Sequence, residues 1–236
     1  MHQLIILGNG FDLTCGLKSK FSHFYGSRTD YTDELNSIPE DQRNVWDLIL
    51  SQVGKDDPLW CDIESLISTL VFKDGDSDSR VDKIYHSPVR TIDPTCPSEP
   101  FVPEDEMYQF AASSLGKVYI PQDELTNFLL SSLKEYERSF SFYLEKQVEE
   151  GGEYVQKAYG YFAAIRDACL GESERLLTSS SVLSFNYTTP FGLDNWRLGI
   201  EATRSVHGVL NETDIIFGID GKDVPDSHPA LPFTKT

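Results

Sequence analysis

Residues 1–17, MHQLIILGNGFDLTCGL, decide how the rest of the chain is read. Leu4 to Leu7 is a short apolar run, long enough for a buried strand. Gly8-Asn9-Gly10 ends it, and apolar residues at helical spacing follow at Leu13, Leu17, Phe21 and Phe24. A strand that passes through a tight glycine turn into a helix N-terminus is a seat for a phosphate. Glycines admit a ligand to the backbone, while free N–H groups and the helix dipole favour negative charge. The turn supplies only G-x-G, and Leu13 stands where the dinucleotide fingerprint has its third small residue. An ordinary strand–turn–helix corner has the same local pattern, so the remaining segments carry the decision.

At 236 residues the chain suits one domain with a large insert or two modest ones. Its apolar fraction of 39% and charged fraction of 25% are those of a globular protein. No run approaches the roughly 18 apolar residues of a membrane span. The N-terminus lacks the basic region and long apolar stretch of a signal peptide, so a cytoplasmic location and no membrane partner are expected. Cys15, Cys61, Cys96 and Cys169 lie far apart with no CxxC pair, which favours reduced, mostly buried thiols. Neither they nor His2, His23, His86 and His228 have the spacing of a metal site, and no metal is expected. A formal charge of −18 opposes general nucleic-acid binding, which depends on neutralising phosphates with Lys and Arg. It leaves room for a small anion held by backbone N–H groups.

After the opening helix, residues 28–40 are polar and turn-rich. The periodicity then predicts a helix from Glu40 to Val53 and another with Pro58 at its first position, carrying Trp60, Ile63, Leu66, Ile67 and Leu70. Residues 74–106 hold five prolines among acidic residues and few aliphatics, and read as a loop. A short helix is expected at Met107 to Gly116. The strongest helical pattern follows Pro121 and runs through Leu125, Phe128, Leu129, Leu133, Tyr136, Phe140, Tyr143, Leu144 and Val148 to Gly151-Gly152. Its aromatic stripe reads as core. A second helix, 153–170, is expected to fold back on it as an antiparallel hairpin. Short β-like runs then return at Ser181 to Phe185, at Ser205 and Val206, and at Asp214 to Phe217.

The order predicts an α/β fold with a parallel sheet: residues 1–26 and 172–236 form the core, and 27–171 a helical insertion containing the 74–106 loop. In an open parallel sheet, ligands bind beyond the carboxyl ends of the strands. Four segments are expected at that edge: Gly8-Asn9-Gly10-Phe11-Asp12, Asn186-Tyr187-Thr188, His207-Gly208, and Gly218-Ile219-Asp220. Asn186 either holds a ribose hydroxyl or water, or closes its strand with an Asx-turn. His207 is either a general base or a structural hydrogen-bonder. Asp12 either caps the opening helix or binds a ribose, and its charge requires it to point away from a pyrophosphate. Trp60 and Glu64, four apart, share a helix face with Ile67. An inward Glu64 needs a partner and makes these two an additional pocket candidate; an exposed residue at the margin of the face is the plainer reading. No GxSxG, HExxH, P-loop or EF-hand motif occurs.

In their order, LIILGNGFDLTCGL with Phe21 and Phe24, WCDIE, NFLLSSLKEYERSFSFYL, SFNYT, VHG and IIFGID resemble the AbiH-type bacteriophage abortive infection family over nearly the whole chain. That family is distantly similar to sirtuin-like NAD-binding domains, which implies a Rossmann-like core. Through this resemblance Gly8 and Gly10 match the phosphate turn, with Asn9 between them. Asn186 matches the catalytic Asn and His207 the catalytic His of an NAD-cleaving pair. Phe11, Asp12, Tyr187, Gly208 and Asp220 are implied as cofactor-binding neighbours. The implied activity is hydrolysis of the nicotinamide–ribose bond of NAD as an anti-phage effector. NAD is the implied ligand, with a phage-derived trigger or a homo-oligomer as further partners. A non-catalytic NAD or ADP-ribose sensor is the second reading, and a nuclease-type toxin the third. Asp12 replaces a sirtuin serine, Thr188 replaces the Asp after the Asn motif, and the zinc-binding cysteine module is absent. The resemblance also implies a chain continuing past PALPFTKT.

Overall fold

The computed structural model describes residues 2–29, 38–39, 42–53, 63–71, 78–86, 103–150, 152–168, 179–188, 198–208, 210, 215, 217, 219–220, 224 and 231–235. In chain order the elements are β1 (His2–Leu7), α1 (Asn9–Thr14), α2 (Phe21–Arg28), α3 (Val45–Gln52), α4 (Ile63–Val71) and α5 (Arg80–His86). There follow α6 (Glu106–Leu115), α7 (Gln122–Glu150), α8 (Gly152–Asp167), β2 (Ser179–Ser184), β3 (Ile200–Ser205), β4 (Ile219–Asp220) and β5 (Thr234–Lys235). The chain is mixed α/β and divides into two compact units. One is Met1–Phe24 with Glu137–Ile216, the other Tyr25–Tyr136 with Phe217–Thr236.

The first unit holds a parallel sheet in the order β1-β2-β3. Leu7 pairs with Ser184, and Ser184 with Ser205, so the carboxyl ends of all three strands are level. Alternation along each strand sends Ile5, Leu7, Val182 and Ile200 to one face. There they enclose Phe162 of α8 together with Leu198, and Phe11 and Ala163 pack at the margin. Burying a Phe this fully stabilises by about 1.5–3 kcal/mol. The opposite positions of β1, Leu4 and Ile6, are exposed.

Three local points differ from the sequence reading or add to it. The pattern from Leu13 to Phe24 is not one helix. Gly16 adopts φ 96, Leu17 N–H bonds to Asp12 O, and α1 ends there in a glycine C-cap. Leu17, Phe21 and Phe24 are buried and Leu13 is half-buried, since α2 resumes the same role. Secondly, the buried side of α8, with Phe162, packs on the sheet, a contact that the expected pairing with α7 did not include. The compact units group α8 and the end of α7 with the sheet, beside the expected division into a core of 1–26 plus 172–236 and an insertion of 27–171. Thirdly, the residues described within 214–217 form no strand. The next strand, β4, pairs in parallel with β5 in a separate two-stranded sheet of the second unit.

In the second unit α3 starts at Asn44. Its side chain accepts from Trp46 N–H, while Asp47 accepts from Asn44 N–H, a reciprocal capping box. Asp47 is fully buried and also receives Arg28 Nε at 2.9 Å, Arg28 Nη2 at 2.7 Å and Tyr136 Oη at 2.9 Å. Four α4 positions at helical spacing, Ile63, Leu66, Ile67 and Leu70, are buried as the sequence predicts. Asp105 caps α6, which ends at Gly116 in the left-handed region. The expected 74–106 loop contains a helix: Val81 and Ile84 of α5 are buried, and Ser79 and Asp82 hydrogen-bond reciprocally at its start. The rest of that segment, apart from 78–79 and 103–106, lies outside the described residues. Along α7, Leu125, Leu129, Leu133, Tyr136, Phe140 and Leu144 are all fully buried, so the aromatic stripe is core. Among the described residues no helix is long and apolar enough to cross a membrane.

Candidate functional site

The level carboxyl ends of β1, β2 and β3 place the Gly8-Asn9-Gly10 turn, Asn186 and His207 just beyond three neighbouring strands. Phe185 N–H continues the ladder to Leu7 O at 2.8 Å, and Val206 N–H to Ser184 O at 2.8 Å. Each segment leaves its strand at the same edge. Gly8 precedes α1 in extended conformation, and a Cβ added at Gly8 or Gly10 meets nothing within 4 Å. Among the described residues neither backbone strain nor packing requires glycine there. Asn9 Oδ1 accepts from the buried Ser19 hydroxyl.

Asp12 is the centre of a buried polar cluster. It lies inside α1, whose cap is Gly8, so it caps no helix. Its carboxyl group is fully buried, receiving Tyr154 Oη on Oδ1 at 2.8 Å, Asn186 Nδ2 on Oδ1 at 3.3 Å and Thr188 Oγ1 on Oδ2 at 2.7 Å. Tyr154 Oη and Thr188 Oγ1 also lie 2.8 Å apart. Two hydroxyl protons thus serve three short contacts, and a proton on the carboxyl would complete the ring. In keeping with this, burial pushes the Asp12 carboxyl up to about 6, against the lowering by Thr188 and Tyr154. Burial beside Asp12 also drives the Tyr154 hydroxyl far above the usual phenol range and raises the Cys15 thiol. Cys15 is a free, buried thiol; the other three cysteines lie outside the described residues.

Asn186 is 1% exposed. Its backbone N–H bonds to Ser184 Oγ at 3.1 Å and its Nδ2 to Asp12, while Oδ1 has no partner among the described residues. An amide carbonyl buried in this way costs about 1–3 kcal/mol unless something donates to it. His207 is half-buried between rings: its centroid lies 5.4 Å from Tyr187 and 6.3 Å from Phe185. Tyr187 meets Phe140 edge-on at 5.0 Å, and Phe140 packs on Phe24 at 5.2 Å. The imidazole therefore stands at the end of an aromatic row rooted in α2 and α7. Gly208 follows at φ 78, a left-handed conformation that a side chain would strain.

The structure thus gathers Gly8, Asn9, Gly10, Asp12, Asn186, Tyr187, His207 and Gly208 in one unit at one sheet edge, with Phe11 packed on the core beside the turn. Asp220 belongs to β4, which pairs in parallel with β5 in the second unit. Glu64 is half-buried on α4 of the second unit, and Trp60 lies outside the described residues. Tyr154 was missed by sequence reasoning, being 142 positions from Asp12. The inward carboxylate itself left a signal, since Asp12 shares a helix face with Cys15. Among the described residues no three His, Cys, Asp or Glu side chains are grouped to hold a metal ion.

A family model described as bacteriophage abortive infection AbiH matches residues 4–230. No curated protein and no solved structure matches the chain.

Proposed function

Starting from the chain's membership of the AbiH family of bacteriophage abortive infection proteins, we propose that it is an anti-phage effector. In this reading it has a Rossmann-like, sirtuin-like core that binds NAD and hydrolyses its nicotinamide–ribose bond in the cytoplasm. The open Gly8–Gly10 turn seats the pyrophosphate on backbone N–H groups. Asn186 orients the ribose or the attacking water, and His207 takes the water's proton as it adds to the ribose anomeric carbon. The C–N bond breaks, its electron pair leaving with neutral nicotinamide, and ADP-ribose remains. As the bond lengthens, positive charge passes from the nicotinamide ring to an oxocarbenium-like ribose. A water-excluding site with a placed amide and imidazole suits that charge movement.

The observation that carries this reading is the level carboxyl edge of the parallel sheet. It brings together the glycine turn, an imidazole and an amide whose buried oxygen has no partner among the described residues, although the turn and the imidazole lie about two hundred residues apart in sequence. A proton NMR time course of NAD with the purified chain tests it. Free nicotinamide should appear, and should cease to appear with Asn186→Ala or His207→Ala in variants that keep the parent's circular dichroism. Unchanged release from both variants removes the mechanism. Broadened NAD signals without nicotinamide assign the chain to the sensor reading instead.

A further inference from the structure

We propose that Asp12 is a positioning residue, which by accepting the Asn186 NH2 group fixes Asn186 Oδ1 as the acceptor for an O–H donor in the site. The proposal rests on the same site as the NAD reading and specifies the polarity of its amide.

The argument is one of hydrogen-bond direction. An amide side chain presents a donor end and an acceptor end, and their order is set by neighbours. A carboxylate only accepts, so the 3.3 Å contact with Asp12 Oδ1 admits Asn186 through Nδ2 alone. Turning the amide over would press two oxygens together in a fully buried setting. The carbonyl end is consequently held away from the carboxylate, and there it has no partner among the described residues. The hydroxyls of Tyr154 and Thr188 are already bonded to Asp12, and that of Ser184 lies on the Asn186 backbone N–H. What fits the vacant carbonyl is a donor brought from outside. A sugar hydroxyl and a water molecule both qualify, whereas a phosphate or carboxylate oxygen is rejected. Asp12 itself, spent on three donors and fully buried, touches no ligand.

The coupling is tested without a ligand. In the isotope-labelled full chain, the Asn186 side-chain NH2 signals are followed from about pH 4 to about pH 8. They should shift with the ionisation of Asp12, at a midpoint near 6, and stay flat in Asp12→Asn. Among the groups facing this cluster, Tyr154, Cys15 and Lys157 ionise above that range. His207 stands at the same sheet edge beside Tyr187, and the Asp12→Asn control separates its influence. Signals that are flat in the parent, or that shift equally in Asp12→Asn, overturn the positioning role whatever the ligand.

The acceptor role is tested with NAD and its analogue lacking both hydroxyls of the nicotinamide-side ribose. NAD binding at least about tenfold tighter than the analogue, with the ratio falling toward one in Asn186→Leu, assigns the donor to the sugar. Equal binding of both, with nicotinamide released from both and lost in Asn186→Leu, assigns it to the water. Equal binding with turnover that survives Asn186→Leu overturns the acceptor role while leaving NAD binding intact. Absence of binding by either probe overturns the NAD reading, and the NH2 titration alone then decides the Asp12 coupling.

Discussion

Thr188 Oγ1 donates to Asp12 Oδ2 at 2.7 Å. Asp12 and Thr188, 176 positions apart in sequence, are therefore the two ends of one hydrogen bond. They make a single feature, with the carboxylate on α1 and the hydroxyl beyond β2. Thr188→Val keeps the shape and removes the donor. It should cost about 1.5–3 kcal/mol, the range for a bond to a charged group. Urea unfolding at neutral pH measures this, and a loss under about 0.5 kcal/mol would show that the bond contributes little.

The same cluster sets a pH dependence. Asp12 has an ordinary value of 3.8 in the unfolded chain and about 6 in the folded one, raised chiefly by burial. Between these values the folded state holds more protons, so its stability falls as pH rises through that window and then levels off. Holding this carboxylate ionised at neutral pH costs on the order of 3 kcal/mol. In Asp12→Asn the new NH2 donates to Thr188 Oγ1, which donates on to Tyr154, and every contact is satisfied without a charge. The variant should be more stable than the parent at about pH 7.5, with a flatter urea midpoint between about pH 4 and about pH 7. A parent whose midpoint rises across that interval contradicts the assignment.

Gly8 and Gly10 separate stability from ligand binding. Alanine fits at both, because Gly8 is extended and neither added Cβ meets a neighbour. At Gly10, inside α1, alanine should stabilise by up to about 1 kcal/mol through helix propensity. A pyrophosphate lying on the turn would meet those methyl groups. The expected result is a melting temperature unchanged or raised, together with NAD signals that no longer broaden. NAD bound as tightly by both variants as by the parent would move the phosphate seat elsewhere.

The ends of β1 and β2 were legible because each strand announces itself locally, by an apolar run before Gly8 or Asn186, whereas β3, IEATRS, was expected only at Ser205 and Val206. Pairing partners are not written in such runs. DIIF has the composition of a strand, yet Ile215 and Phe217, the described residues there, form none, and Asp220 falls in β4 beside β5. The helix α5 hid among prolines and acids, although Ser79 and Asp82 hold the spacing of a capping box, a signal that composition outweighed. The Asp12–Tyr154 bond had no sequence signature at all, since only the fold carries α8 to α1. What the sequence made plain was a set of ends; which buried groups tie them together is a property of packing.

Gly208 tests the edge from the backbone side. At φ 78 an L residue is strained, so Gly208→Ala should cost about 1–2 kcal/mol. The strain relaxes most easily by moving the preceding residue, and His207 would then leave its place beside Tyr187. Nicotinamide release should fall further than the small loss of stability explains, with NAD affinity changed little. A proportionate loss of folded protein and activity would make the glycine purely structural.

In the second unit, Asp47 is the group whose removal should be felt most. It is fully buried and joins four donors: both Arg28 nitrogens, Tyr136 Oη and the Asn44 N–H that starts α3. Burial opposes the Arg28 charge, but the bonds and charge of Asp47 more than offset it, and Arg28 lies 5.2 Å above the Tyr136 ring. Burial next to Asp47 likewise holds the Tyr136 hydroxyl well above its ordinary value. Asp47→Ala strands a largely buried guanidinium and a phenol at once, and should cost about 3–5 kcal/mol. Arg28→Lys keeps the charge but gives up the two-pronged geometry, and should cost less, about 1–2 kcal/mol. Urea midpoints of the two variants give the order. Equal losses would mean that the charge alone matters, and a mild effect of Asp47→Ala would mean that Arg28 and Tyr136 find other partners.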